Sequence, residues 1–269
     1  MTPRMHDMFD RLRREGRTAL AAYLVAGDPD PSTTLAAMEA LVDAGVSMLE
    51  IGMPFSDPVA DGPVIADAHH RALRGGRTTR GVLELVSRFR ERDATTPVTL
   101  MGYVNPALNM GLDAFFAEAS ASGADGCILV DLPLEHAGPW SVSARSHGIS
   151  LVPLLAPTAD RERERRILSS ADAFVYMVAR TGITGAQAAD VAGVREKAKR
   201  LREEFRTPLA SGFGIRTPDQ AKAFAGSVDR VVVGSLFVET LARGGASAMD
   251  ELGSLARELV AALDGAQRA

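Results

Sequence analysis

Cysteine is almost missing from this 269-residue chain, where Cys127 stands alone. A single thiol closes no internal disulfide, so the fold is expected to stand on its core, in a reducing cytoplasm. No zinc-type spacing exists either, because His6, His69, His70, His136 and His147 are scattered or, as a neighbouring pair, point in different directions along a helix. No apolar run approaches the ~18 residues that span a bilayer, and the N-terminal stretch has no apolar signal core. Excess charge of one sign is missing too. The formal net charge is −4, which gives no reason to expect nucleic acid, and RERERR at 161–166 alternates in sign like a solvated helix face. Two motifs are absent: the G-x-S-x-G nucleophile elbow, and any continuation of Gly212-Phe213-Gly214 into a dinucleotide fingerprint.

What is present is alternation. Short β-rich segments recur at 19–26, 46–52, 97–103, 125–131, 149–155, 172–178, 207–213 and 229–235. Helical stretches fall near 32–44, 63–92, 111–122, 135–147, 160–169, 188–205, 217–225 and 245–264, and MTPRMHDMFDRLRREGR reads as an extra amphipathic helix at the N-terminus. Eight βα units in series predict a parallel sheet with right-handed crossovers, and a closed ring accounts for eight strands better than an open sheet. The expected fold is therefore one α/β domain over 1–269, a (β/α)₈ TIM barrel with an extra N-terminal helix. The segments after the strands, including GMPFSDPVADG, NPALNMG, ARTGITGAQ, GFGIRTP and GSLF, read as loops gathered on one face, where such barrels build their sites. The longest, 53–62 and 179–190, are candidate lids. Cys127 and Trp140 are expected in the core and at a partly buried surface respectively.

Within VSMLEIGMPFSDPVADGP, strand alternation puts Glu50 on one face and Leu49 and Ile51 on the other. If the two apolar residues meet the helices, Glu50 points into the barrel near its mouth, where lost hydration raises a carboxyl pKa into the range of a general acid or base. A structural reading competes, in which Glu50 is paired with a buried arginine or lysine. Asp61 ends the following loop and reads equally as a functional carboxylate or as the N-cap of a helix starting at Pro63. Glycines directly after strands, in TGITG (181–185), GFG (212–214) and VGS (233–235), could bring backbone N–H groups to an anion or merely make tight turns. Convergence of three such sites favours a phosphate, with Ser235 donating from backbone and hydroxyl.

LEIGMPFSDPVADGP resembles the signature of the tryptophan synthase alpha chain family. YLVAGDP (23–29), GYVNP (102–106), DLPLE (131–135), RTGITG (180–185), SGFGI (211–215) and VVVGS (231–235) follow in that family's order. The resemblance implies a carbon–carbon lyase that cleaves indole-3-glycerol phosphate to indole and glyceraldehyde 3-phosphate, bound to a PLP-dependent β subunit and needing no metal or cofactor of its own. It implies Glu50 as the main acid–base residue and Asp61 as the acceptor of the indole N–H. Tyr23, Met101, Tyr103, Leu129 and Tyr176 would line the indole pocket. Gly185, Phe213, Gly214, Gly234 and Ser235 would hold the phosphate, and Thr184 would bond Asp61. Two departures, Ala22-Tyr23-Leu24-Val25 before GDP and Val64-Ile65-Ala66 after DGP, remove polar groups near the lid. The retained run Pro54–Pro58 matches the partner-facing loop. The competing expectations are a stand-alone indole-releasing lyase, a non-catalytic activating barrel and a sugar-phosphate isomerase.

Overall fold

The computed structural model describes residues 1–178, 191–212 and 214–265. Among these residues nine parallel strands form one sheet: β1 (Ala19–Val25), β2 (Met48–Gly52), β3 (Val98–Gly102), β4 (Gly126–Leu129), β5 (Ser150–Leu151), β6 (Leu154–Leu155), β7 (Val175–Met177), β8 (Leu209–Ser211) and β9 (Arg230–Val233). Their order is β5-β4-β3-β2-β1-β9-β8-β7-β6. The two outermost strands are halves of the single strand expected at 149–155. Pro153, which has no N–H to give a ladder, lies between them. The first half bonds β4 and the second bonds β7, so one continuous segment joins both ends of the sheet and the ring closes as a (β/α)₈ barrel. Val152 N still donates to Cys127 O at 2.9 Å, and Tyr176 N donates to Pro153 O at 3.1 Å, which carries the ladder across the break.

Among the described residues twelve α-helices surround the sheet: α1 (Pro3–Arg14), α2 (Pro31–Asp43), α3 (Pro63–Arg74), α4 (Thr79–Arg90), α5 (Val104–Met110), α6 (Leu112–Ala121), α7 (Ala137–Ser146), α8 (Arg161–Ser170), α9 (Val191–Glu204), α10 (Pro218–Phe224), α11 (Ser235–Ala242) and α12 (Gly245–Asp264). Three expectations change. The long helix at 63–92 is two, α3 and α4, divided by Gly75-Gly76 and restarted by Thr78, whose side chain accepts from Gly81 N at 3.1 Å. The supposed loops NPALNMG and GSLF are largely helical, as α5 and the start of α11. Trp140 is buried, edge-on to Phe116, rather than a surface aromatic; Cys127 is in the core as expected.

Strand alternation divides the interior into two layers. Leu20, Leu24, Leu49, Ile51 and Leu100 meet the helices in the larger cluster. Ala21, Tyr23, Met48, Ile128, Tyr176, Ala210 and Val232 fill the barrel itself. The N-terminal helix completes that inner layer. Met5, Met8, Phe9 and Leu12 repeat at helical spacing and are all buried, and they join the inner cluster with Phe174. Gly126 makes room for this plug, since a Cβ there would stand 2.8 Å from Met5 Cε.

Asp125 holds the plug in place. It accepts from Thr2 Oγ1 and Arg4 Nη1 at 3.1 Å each, from Arg90 Nη2 at 2.8 Å and from Val98 N at 2.9 Å. Removing one member of such a cluster strands the charges left behind. Asp125→Ala is expected to cost about 3–5 kcal/mol of stability in urea unfolding; a loss under about 1 kcal/mol, the scale of a surface pair, would show that the anchor contributes little.

Candidate active site

The mouth of the barrel opens on a cavity of about 700 Å³ whose lining includes Tyr23, Glu50, Asp61, Met101, Leu129, Tyr176, Gly214, Gly234 and Ser235. Nine of the thirteen site residues expected from sequence thus meet in one place. Thr184, Gly185 and Phe213 lie outside the described residues, as does the loop 179–190. The cavity extends past Leu151, Pro153 and Leu154 at the split strand to Arg163 and Ile167 of α8.

Glu50 sits where alternation puts it. It is opposite Tyr23 of β1 and Thr99 of β3 in register, while its neighbours Leu49 and Ile51 pack outward. The carboxylate is fully buried, and Arg230 Nη2 donates to Oε1 at 2.6 Å with the guanidinium equally buried. The competing structural reading is therefore half realised: Glu50 has its buried arginine and still faces the cavity. Burial raises its pKa, and the nearby Arg230 charge lowers it, with the rise prevailing.

Asp61 does not cap α3. The cap position belongs to Gly62, and the Asp61 side chain turns inward. Tyr103 Oη donates to Asp61 Oδ2 at 2.7 Å and accepts from Ala60 N at 2.9 Å. Tyr103 also stacks on Phe55, with centroids 4.9 Å apart. Tyr103 is not among the residues lining the cavity; its ring packs on the 53–62 loop and its hydroxyl orients Asp61. Burial pushes the Asp61 pKa up to about 6, against the Tyr103 hydrogen bond that lowers it.

His69 and His70 are part of this arrangement. His69 is buried, with Nδ1 accepting from Phe55 N at 3.2 Å. That bond assigns the proton to Nε2, which lies 3.4 Å from Tyr23 Oη and 3.6 Å from Asp61 Oδ2. Burial, then the neighbouring His70, holds the His69 pKa down to about 4, so the ring is neutral near pH 7. His70 Nε2 contacts Ser56 O at 3.1 Å and ties down the next residue of the same loop. The signal was present in the chain: Ile65, Ala68, His69 and Ala72 form the buried stripe of α3, so His69 is the one polar group on the face turned to the barrel. Arg71 of the same helix grips Asp28 with two bonds, at 2.8 and 2.9 Å, fixing α3 to the loop after β1.

At the opposite rim, Gly234 precedes α11 and Ser235 begins it. A Cβ on Gly234 would come within 3.3 Å of the Tyr23 ring, so the glycine keeps the backbone close to the cavity wall. Gly214 has φ +67°, in the left-handed region that favours glycine. Tyr176 Oη donates to Gly212 O at 3.1 Å and fixes the turn after β8.

The raised Asp61 pKa has a consequence for stability. Its value is about 6 in the fold against an ordinary 3.8. Stability gained from the protonated form is therefore fully present below about pH 4 and is lost as pH rises through 6. At about 1.4 kcal/mol per unit the loss amounts to about 2–3 kcal/mol. Asp61→Asn, a mimic of the neutral acid, is expected to be more stable than the wild type by about that amount at pH 8 and equal to it at pH 4. Chemical denaturation at the two pH values checks this; the same stability gap at both would overturn it.

Comparison with known proteins agrees with this geometry. The family model described as tryptophan synthase alpha chain matches residues 9–264. Tryptophan synthase alpha chains from Caulobacter sp. and Caulobacter vibrioides are each 46% identical to this chain over 238 residues, covering 88% of it and 86% of theirs. Among solved structures, the tryptophan synthase subunit alpha of Legionella pneumophila superposes with a TM-score of 0.90 at 35% identity, covering 98% of this chain and 99% of that one. A Mycobacterium tuberculosis tryptophan synthase structure gives the same TM-score, identity and coverage. The chain belongs to the tryptophan synthase alpha chain family, the lyases that cleave indole-3-glycerol phosphate in tryptophan biosynthesis.

Proposed function

We propose that Glu50 and Asp61 carry the lyase chemistry of this chain, in a cavity that seats the indole ring of indole-3-glycerol phosphate against Tyr23, Met101, Leu129 and Tyr176. The observation that carries the proposal is the burial of two carboxyl groups in one cavity, both with raised pKa and each steadied by a different partner. Glu50, protonated, gives its proton to the ring carbon bearing the glycerol chain. Positive charge then grows on the ring nitrogen, and Asp61 accepts its N–H; an anion fixed where charge develops stabilises the transition state more than the ground state. Glu50, now a carboxylate, takes the proton from the glycerol hydroxyl. The carbon–carbon bond breaks, its electrons return to the ring, and indole and the aldehyde are released. Glu50 ends with the proton it began with.

The phosphate would rest on the backbone N–H groups at Gly214, Gly234 and Ser235, at the positive end of α11. By the family resemblance, Gly185 and Phe213 complete that site and Thr184 bonds Asp61. A PLP-dependent β subunit is the expected partner in a cytoplasmic heterotetramer, docking against the loop Pro54–Pro58. The family assignment leaves the non-catalytic barrel and the sugar-phosphate isomerase without support. A stand-alone lyase is separated from the α-subunit reading by measurement.

Two outcomes are expected from indole release by the purified chain. Glu50→Gln lowers turnover by about 10²–10⁴-fold while substrate still binds, and near-normal turnover in the folded variant would remove Glu50 from the mechanism. Adding a β subunit raises indole formation by about 10-fold or more, a coupling of roughly 1–3 kcal/mol. Full speed without it, and no complex in sedimentation, would establish the stand-alone lyase.

A further inference from the structure

Arg230 is a large charged side chain in an otherwise apolar strand. β9 reads Arg-Val-Val-Val and is buried throughout. Arg230 itself is fully buried, among the largest side chains so enclosed. Alternation puts it on the same face as Val232, which belongs to the inner layer. Its guanidinium is held on several sides. The ring of Phe174 lies 4.0 Å from Cζ and that of Tyr176 lies 6.0 Å away; Nη1 approaches Met48 Sδ at 2.8 Å, and Nη2 donates to Glu50 Oε1 at 2.6 Å.

Stability gives little reason for such a pair. Taking both charges out of water costs several kcal/mol per ion, and apolar residues of equal volume commonly do as well or better. The pair is also incompletely satisfied, since Glu50 Oε2 and Arg230 Nε are buried without a hydrogen-bond partner among the described residues. Glu50 lines the cavity, whereas Arg230 is not part of the lining. One carboxylate oxygen is thus clamped from inside the barrel and the other is left unengaged.

We infer that Arg230 is a positioning residue for the lyase reaction: it fixes Glu50 by Oε1 and leaves Oε2 as the oxygen that delivers and recovers the proton. The inference rests on Glu50 being the acid–base group. Clamping one oxygen removes a rotation that would otherwise exchange the two, and it sets the approach of Oε2 to the ring carbon. The cation also offsets part of the rise that burial imposes on the carboxyl. The other titratable groups facing Glu50 among the described residues are Tyr23 on β1, Tyr176 on β7 and Asp61 in the loop after β2.

The test compares Arg230→Met, Arg230→Lys and Glu50→Gln in steady-state cleavage of indole-3-glycerol phosphate across pH. Arg230→Met is expected to lose about 10–100-fold in kcat with KM little changed, as for a misplaced reacting group. Its alkaline limb should move up by about one pH unit or more, because removing a nearby cation favours the protonated acid. Arg230→Lys keeps the charge but not the fork that spans Glu50 and Met48; its alkaline limb stays within about half a unit of the wild type and its kcat is intermediate. Wild-type kcat and pH profile in Arg230→Met, or a loss confined to KM, overturns the inference. Should Arg230→Met fail to fold, Arg230→Lys decides, and wild-type kcat in it overturns the inference. Full turnover in Glu50→Gln would remove the acid–base reading itself, whereas an inactive Glu50→Gln beside an unaffected Arg230→Met removes only the role of Arg230.

Discussion

Taking a carboxylate out of water costs several kcal/mol unless a charge or a donor accompanies it. Two of the carboxylates that this barrel takes out of water, Glu50 and Asp61, line one cavity, and much of the molecule can be understood from how each is compensated. Glu50 has a full opposite charge below it, on the strand that closes the ring against β1. Asp61 has a neutral donor, the hydroxyl of Tyr103. The difference in partner suits the difference in task. On the proposed mechanism, the group that must both give and take a proton sits beside a cation that keeps its ionised form within reach, while the one that faces a growing positive charge needs its direction fixed more than its charge balanced.

Each compensation depends on elements far from the mouth. Arg230 stays buried because Phe174 and Met48 enclose it, and both belong to the inner layer that α1 seals. Met5, Met8, Phe9 and Leu12 thereby keep water from the far side of the ion pair. Tyr103 reaches Asp61 because Phe55 stacks on its ring, and Phe55 is held by His69 through its backbone N–H. The helix carrying His69 is fixed in turn to the loop after β1 by Arg71 and Asp28. The lower seal and the upper loop are separate supports for the two carboxyl groups that line the cavity.

Much of this was legible in the chain. Eight alternating units gave the barrel, and the flanking Leu49 and Ile51 gave the inward direction of Glu50. The glycines after strands pointed to Gly214, Gly234 and Ser235 at the rim. Less legible are polar residues lying on apolar faces. His69 has no metal-ligand spacing, and its meaning lies in its place on the buried stripe of α3. Arg230 opens what otherwise reads as a plain hydrophobic strand, although the period of two that places Glu50 inward places Arg230 inward as well. The role of Tyr103 could not be separated from that of Tyr23 by sequence, since both look like pocket aromatics until the path of the 53–62 loop is known. The break at Gly75-Gly76 was visible but was outweighed by the helical composition on either side.

The split fifth strand completes the ring at Pro153 with two residues bonded to each side. Most of the other staves are joined by longer ladders, with β8 and β9 the exception at two registered positions; β1 and β2 share five. A parallel barrel has no free edge, so any shortage of backbone bonding must be concentrated somewhere within it, and here it coincides with the flank into which the cavity extends, past Leu151 and Leu154. The molecule is in effect two curved half-shells, β1–β5 and β6–β9, sewn firmly along one meridian and loosely along the other. The loose stitching leaves room beside the reaction site without adding an open edge.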